Sequence, residues 1–156
     1  MNLYNSAIVT TKYDVLWDDI SALTDNALPK PVLVIINEYR PGSNEEEQLK
    51  KMLEVEKSCN LRPGQYNIIF LKDGQMAAWH QIREALDPKI ILLFGILPAQ
   101  LGIASLFALN APNNFDNRVW IPTHQLSAIE QNTALKSLLW NGGMKPIFKD
   151  NRPNFL

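Results

Sequence analysis

The run from residue 88 to residue 102, Pro-Lys-Ile-Ile-Leu-Leu-Phe-Gly-Ile-Leu-Pro-Ala-Gln-Leu-Gly, constrains the fold of this chain more than any other stretch. It predicts a strand at residues 90–94 that is apolar on both faces, ends at Gly95 and is followed by a new helix. Such a strand is typical of a parallel sheet that helices cover on both sides. Ligands bind these sheets at the carboxyl ends of the strands. The run therefore predicts where a site lies, without indicating its chemistry.

Strands and helices alternate along the rest of the chain. Apolar runs predict further strands at residues 32–36, 66–71 and 119–121. Amphipathic spacing predicts helices at residues 43–60, 76–86 and 126–140 and a helix, at least in part, at residues 99–109. This order indicates an α/β fold, a three-layer α/β/α domain over residues 31–150 with a mostly parallel, four-stranded sheet.

Finer expectations accompany this outline. The first helix is predicted to pack through Leu49, Met52 and Leu53. Residues 110–117 are predicted to be a polar loop and residues 151–156 a frayed tail. At the amino end, four apolar residues at helical spacing predict an N-terminal arm or peripheral helix within residues 1–30. These residues are Tyr13, Leu16, Trp17 and Ile20.

Composition excludes several classes of function. The chain has 156 residues and a net charge of −1, and this weak acidity does not support direct nucleic-acid binding unless a local basic patch exists. One cysteine, Cys59, and two histidines predict no metal site, no iron–sulfur cluster and no cofactor. No signal peptide and no transmembrane run is recognisable, so we expect a cytoplasmic protein that does not enter membranes.

Two loops at strand ends carry candidate site residues. After the first strand, Glu38 could orient a water molecule, and the backbone amides of residues 37–43 could hold an anion. The plainer interpretation is a strand-to-helix turn, because no glycine-rich phosphate motif is present. After the fourth strand, His124 and Ser127 are three residues apart, but no acid is placed to orient them. Ser127, with Glu130, is instead predicted to cap the last helix.

The order of three segments resembles the uracil-DNA glycosylase superfamily. Residues 36–42 are similar to its Gly-Glu-Ala-Pro-Gly-type loop, residues 82–102 to its Pro-Lys-hydrophobic run, and residues 122–139 to its Pro-Thr-x-His-Pro-Ser motif and last helix. The resemblance covers roughly residues 30–147 and implies a uracil-DNA glycosylase-like fold. The motif positions that it marks are Asn37, Glu38, Pro41, Gly42, Thr123, His124, Gln125 and Ser127.

Departures from the motif imply lost catalysis. The position of the family's catalytic histidine falls on Gln125, the following proline falls on Leu126, and His124 is one residue away. A glycosylase must flip a base and stabilise a developing charge. Gln125 can donate a hydrogen bond but cannot carry a positive charge.

The chain is most similar to a non-catalytic branch of this superfamily, the psi subunits of the bacterial DNA polymerase III holoenzyme. Residues 126–132, the sequence Leu-Leu-Trp at 138–140 and the segment 61–71 carry this resemblance. It implies an adaptor in DNA replication whose protein partners are a clamp loader and a chi-like subunit. It also implies that the arm residues at positions 13, 16, 17 and 20 contact a partner.

Two other hypotheses stay open. One is a nucleic-acid-processing enzyme that uses Glu38 and His124, which requires both to face one cleft with a pocket deep enough for a base. The other is a protein-binding module unrelated to replication. Any adaptor is expected to expose an apolar patch, involving Trp17 or Trp120, without such a pocket.

Overall fold

The computed structural model of the chain describes residues 9–10, 16–17, 24, 27–38 and 45–156. The strands are β1 (Val9–Thr10), β2 (Leu16–Trp17), β3 (Val32–Glu38), β4 (Tyr66–Lys72), β5 (Ile90–Phe94), β6 (Asn113–Phe115) and β7 (Arg118–Thr123). The α-helices are α1 (Glu45–Cys59), α2 (Trp79–Leu86), α3 (Leu126–Glu130) and α4 (Thr133–Leu138). Two π-helical segments, Leu139–Met144 and Pro146–Asp150, follow α4.

The main sheet has five strands in the order β4-β3-β5-β7-β6. The first four run parallel, and β6 pairs antiparallel with β7. This confirms the α/β class and the mostly parallel sheet, but the expected number of four strands was wrong. The missed strand lies in the predicted polar loop, where Asp116 and Asn117 have φ of 53° and 57° and form a two-residue hairpin turn.

The two faces of the sheet have separate cores, as alternation along β3 requires. Leu33 and Ile35 pack on the face that α2 covers. Val34 and Ile36 pack on the opposite face with residues from α1, α3 and the π-helical segments. Every residue of β5 is buried, as the opening run predicts. The sheet is therefore the middle of three layers.

Helix α1 packs through a different face from the one predicted. Val55 and Cys59 are buried, whereas Leu49 and Leu53 are 56% and 55% exposed and Met52 is 37% exposed. At about 100° per residue, Leu53 lies roughly 160° around the helix from Val55. The spacing correctly predicted a helix but not which side of it meets the sheet.

The segment after β5, where residues 99–109 were predicted to be helical at least in part, is helical only at its start and irregular beyond it. A single 3₁₀ turn spans Pro98–Leu101, and Gly102 ends it with φ of 75°. The Asn113 side chain replaces helical hydrogen bonds, since its Oδ1 accepts from the Ala108 amide at 2.9 Å. Its Nδ2 donates to the carbonyl oxygens of Ala108 and Ala111 at 3.0 and 2.9 Å. Local side-chain bonds of this kind compete with helix formation.

The hairpin β6–β7 is fastened to α2 by one carboxylate. Asp116 Oδ2 accepts from Trp79 Nε1 and from the Arg83 guanidinium, both at 2.9 Å. Arg118 also contacts this oxygen at 3.3 Å, and its guanidinium lies 5.3 Å from the centre of the Trp79 ring. The hydrogen bond from Trp79 is the main cause that lowers the pKa of Asp116, and the two arginines add to it.

The carboxyl end is fixed rather than frayed. The Arg152 guanidinium donates to the carbonyl oxygens of Cys59 and Phe148 at 2.9 Å and of Asn60 at 2.7 Å. Two of these carbonyls belong to the end of α1, where Asn60 adopts φ of 51°. A cation at the last carbonyls of a helix stabilises that end. The prediction of a frayed tail was therefore wrong.

The predicted helix at the amino end does not form at two of its four positions. Leu16 and Trp17 lie in β2, which pairs antiparallel with β1 in the register Val9 to Trp17. The other two positions, Tyr13 and Ile20, lie outside the described residues.

Candidate functional site

The strand order creates a crevice at the carboxyl edge of the sheet. The chain leaves β3 through α1 to reach β4 on one side, and then crosses through α2 to β5 on the other side of β3. This reversal between β3 and β5 is where open α/β sheets bind ligands. The strand ends that meet there place Asn37, Gly95 and Gln125 near one another.

Gly95 is the centre of this edge. Its φ is 71°, and a Cβ at this position would lie 2.6 Å from Gln125 Cγ, 3.1 Å from Gln125 Cα and 3.4 Å from Asn37 Cβ. Its amide donates to the Thr123 carbonyl oxygen at 3.1 Å. Glycine is required here both by the backbone conformation and by the close approach of the end of β7.

Asn37 holds the β3 side of the crevice. Its Nδ2 donates to Asp73 Oδ1 at 3.0 Å, with a longer contact of 3.5 Å to the Gly95 carbonyl oxygen. Its Oδ1 is buried and has no hydrogen-bond partner among the described residues. This atom is an unused acceptor beside the crevice.

A pocket of about 650 Å³ opens next to Gly95 between the ends of β5 and β7 and the irregular segment after β5. Its walls are mainly apolar and include Leu97, Pro98, Ile103, Phe107, Leu109 and Pro122. His124 and Gln125 lie at its polar side. Among the described residues that line it there is no lysine, arginine, aspartate or glutamate. Such a volume and lining are typical of a binding site for an apolar group.

The rim of this pocket exposes large apolar side chains. Leu106 is 99% exposed, and Leu97 and Leu109 are 67% and 54% exposed. The hydroxyl of Thr123 is turned to Asn110 Oδ1 at 2.7 Å, so it is used within the protein. Large contiguous apolar patches on a protein surface are typical of interaction sites.

Four of the predicted motif residues meet at this edge. Thr123 is buried at the end of β7, and His124 and Gln125 follow it into the pocket wall. Asn37 lies across Gly95 from Gln125. The structure describes the backbone of Glu38, which ends β3 opposite Lys72, and not its side chain. Pro41 and Gly42 lie outside the described residues.

Ser127 does not cap the last helix. The N-cap of α3 is Gln125, which makes no side-chain cap bond, and Ser127 is the second helical residue. The cap bonds belong to Asn132, whose side chain accepts from the amides of Ala134 and Leu135 and starts α4. The helix predicted over residues 126–140 is thus divided into two helices, because Asn132 is the N-cap of a second one.

The glycine pair predicted to end this helix lies inside a π-helical segment. A Cβ on Gly142 would stand 2.5 Å from the Asn110 carbonyl oxygen, and one on Gly143 would stand 2.8 Å from Ile121 Cγ2. The small residues therefore let the helix pack closely on the segment that walls the pocket, and helical structure continues to Asp150.

One other sequence expectation, on Trp120, is wrong, and the single cysteine has a clear place in the fold. Trp120, offered as an exposed contact, is fully buried and packs edge-on against Trp79 with ring centres 4.7 Å apart. Cys59 is buried, and this burial raises the pKa of its thiol to about 12, so it cannot serve as a thiolate nucleophile near neutral pH.

Sequence reasoning missed the pocket and its leucines. They come from the stretch that was predicted to be helical, where Leu106, Phe107 and Leu109 read as ordinary core residues. A usable signal was the polar run Asn113-Asn114 followed by Asp116-Asn117, which is typical of a hairpin and of a structured loop before it.

A second cavity, of about 580 Å³, lies on the other face between α1 and the helices after β7. Leu92 and Phe94 of β5 lie at its base, and Trp140 lines its side. Charged residues of both signs border it, namely Lys51, Glu54, Lys57, Glu130 and Lys136. Unlike the first pocket, it is not lined by Gly95, His124 or Gln125.

Within the described part of the chain, no helix is long and apolar enough to cross a membrane, and no group of three or more His, Cys, Asp or Glu side chains could hold a metal ion. Comparison with known proteins found no match to this chain among family models, curated proteins or solved structures.

Proposed function

We propose that this protein is a non-catalytic adaptor with a uracil-DNA glycosylase-like fold, similar to the psi subunit of the bacterial DNA polymerase III holoenzyme. The sequence expectation of an adaptor without a pocket is not met, because a cavity of about 650 Å³ lies at the carboxyl edge. The observation that carries this proposal is the group of exposed leucines at positions 97, 106 and 109, which borders that uncharged and mainly apolar cavity. A surface of this kind favours contact with another protein. It offers no fixed cation, among the described lining residues, to an anionic leaving base or a phosphate.

Gln125 adds a second reason. It stands at the position that the resemblance gives to a catalytic histidine, and its Cα and Cγ pack against the backbone of Gly95. A neutral amide in this place can donate a hydrogen bond to a leaving base, but it cannot carry a positive charge opposite an anionic one. The psi-like proposal further implies binding to a clamp loader and a chi-like subunit and a role in replication, which the sequence resemblance alone supports.

A second candidate function has one observation in its favour. His124 lines a pocket whose volume is large enough for a base, and Glu38 ends β3 at the same edge. One strand, β5, separates their strands, so their backbones lie on the order of 10 Å apart.

Base release from a deoxyuridine-containing single-stranded oligonucleotide separates the two functions. The adaptor proposal expects no strand breakage after alkali treatment, with an active uracil-DNA glycosylase as positive control. Base release that is lost in both Glu38→Gln and His124→Ala would overturn the adaptor and support the enzyme. Titration calorimetry with the purified chi subunit and clamp loader of the source organism then tests the replication role, and binding to neither would leave an adaptor of another kind.

A further inference from the structure

The apolar surface of the carboxyl-edge pocket does not stop at its mouth. It continues onto Leu97, Leu106 and Leu109, which stand 67%, 99% and 54% exposed on the rim. All three line the mouth of the pocket, so a small molecule that filled it would touch their inner sides and leave the rest of their surface in water. Only an occupant that also covers the rim removes the whole apolar surface from water.

The polar chemistry of the pocket restricts the occupant further. The Thr123 hydroxyl already donates to Asn110 Oδ1 at 2.7 Å. With no lysine, arginine, aspartate or glutamate among the described lining residues, a charged group on the occupant would be desolvated without a partner.

We propose that this pocket receives two or more large apolar side chains from a short, uncharged segment of a partner protein, with Leu106 packing against the same segment at the mouth of the pocket. The proposal rests on the adaptor function above and names the chemistry of what the adaptor binds. An amphipathic helix that offers apolar anchors three or four residues apart is one form of segment that fits such a site. A second copy of this chain is the less favoured occupant, because a stable dimer needs about 800 Å² from each partner, and a single pocket with three rim leucines is a small surface.

The test is a selection of random short peptides displayed on phage against the purified full-length chain. Enriched peptides are expected to hold at least two large apolar residues and no charge between them. A synthetic copy of an enriched peptide should bind the pocket-filled variant Ala104→Trp and the rim variant Leu106→Asp at least about tenfold more weakly than the wild type. Its affinity should not fall as the salt concentration rises, since no ion pair is formed.

Matched variants control for unfolding and for non-specific apolar binding. Ala108→Trp places the same ring on an exposed residue that does not line the pocket, and Leu28→Asp places the same charge on a side chain that is 70% exposed and outside the pocket lining. Both should bind the peptide as the wild type does. Charged peptides, or equal binding by all four variants, would overturn the proposal.

Two further results keep the proposals apart. Sedimentation that shows a dimer of the wild type and a monomer of Leu106→Asp would assign the surface to a second copy and overturn the partner segment. Release of uracil by the wild type would overturn the adaptor function, whether or not peptides bind. If no uracil is released and the peptide test fails, only the assignment of the pocket to a partner segment is overturned.

Discussion

Substitution of Gly95 by alanine probes the geometry on which the candidate site depends. The new Cβ would stand 2.6 Å from Gln125 Cγ and 3.1 Å from Gln125 Cα, closer than folded proteins allow. The left-handed conformation costs alanine about 1–2 kcal/mol. Forcing a methyl group into a closed contact costs about 1–3 kcal/mol more. We therefore expect Gly95→Ala to lower the free energy of unfolding by about 2–5 kcal/mol.

Gly74 supplies a matched control for this experiment. Its φ of 73° is nearly that of Gly95, but nothing lies within 4 Å of a Cβ built there. Gly74→Ala should lose only the conformational part, about 1–2 kcal/mol. The difference between the two variants isolates the steric part, and urea denaturation followed by tryptophan fluorescence measures both.

Gln125→Ala completes a double-mutant cycle. It removes the Cγ atom that the new methyl group would meet, and it costs little by itself because Gln125 makes no side-chain cap bond. The double variant Gly95→Ala, Gln125→Ala should be less destabilised than the sum of the two single variants by about 1 kcal/mol. Equal losses at Gly95 and Gly74, or strict additivity in the cycle, would show that the strand ends do not approach one another as described.

Three more outcomes follow from other parts of the fold. The pKa of Asp116 is lowered in the folded protein, so its ionised carboxylate stabilises the fold above the ordinary carboxyl pKa of 3.8, and this stabilisation is lost as the pH falls below that value. Asp116→Asn should therefore lower the melting temperature at pH 7 and match the wild type in strong acid. Ile82→Asp places an unpaired charge at a fully buried position and should unfold the chain, which circular dichroism would show as lost helical signal. Arg152→Ala removes the hydrogen bonds to the carbonyls at the end of α1 and should lower the free energy of unfolding by about 1–3 kcal/mol. It should also expose Cys59 to a thiol reagent, and a thiol that stays unreactive in this variant would contradict the prediction.

The sheet could be predicted from sequence because its strands are runs of β-branched and aliphatic residues. The segments at β3 and β5 have no competing interpretation, since a polar face is absent from both. Strand β6 could not be found in this way, because its Asn113 and Asn114 have low strand propensity and are held by a hairpin turn and by pairing with β7. Pairing between distant residues is not a local property of the sequence.

The candidate site, like the fold, could be predicted from the sequence only in part. Its position was predictable, because parallel strands bring their carboxyl ends to one edge whatever the residues are. Its shape was not, since the pocket wall depends on the Asn113 side chain, which holds residues 108 and 111 in an irregular path. The apolar spacing over residues 99–109 does not come from a helix over this whole segment. It arises because some of its apolar side chains line the pocket and others pack into the core.

The bonds of Arg152 have a consequence for how this chain is made. The carbonyl of Asn60 that it binds lies 92 residues earlier, and α1 has left the ribosome long before that arginine is translated. Contacts between such distant positions form late and slow the search for the native state. A nascent chain that stalls ahead of this residue would carry a helix end without its closing cation, and such half-finished chains are the ones that chaperones and proteases encounter.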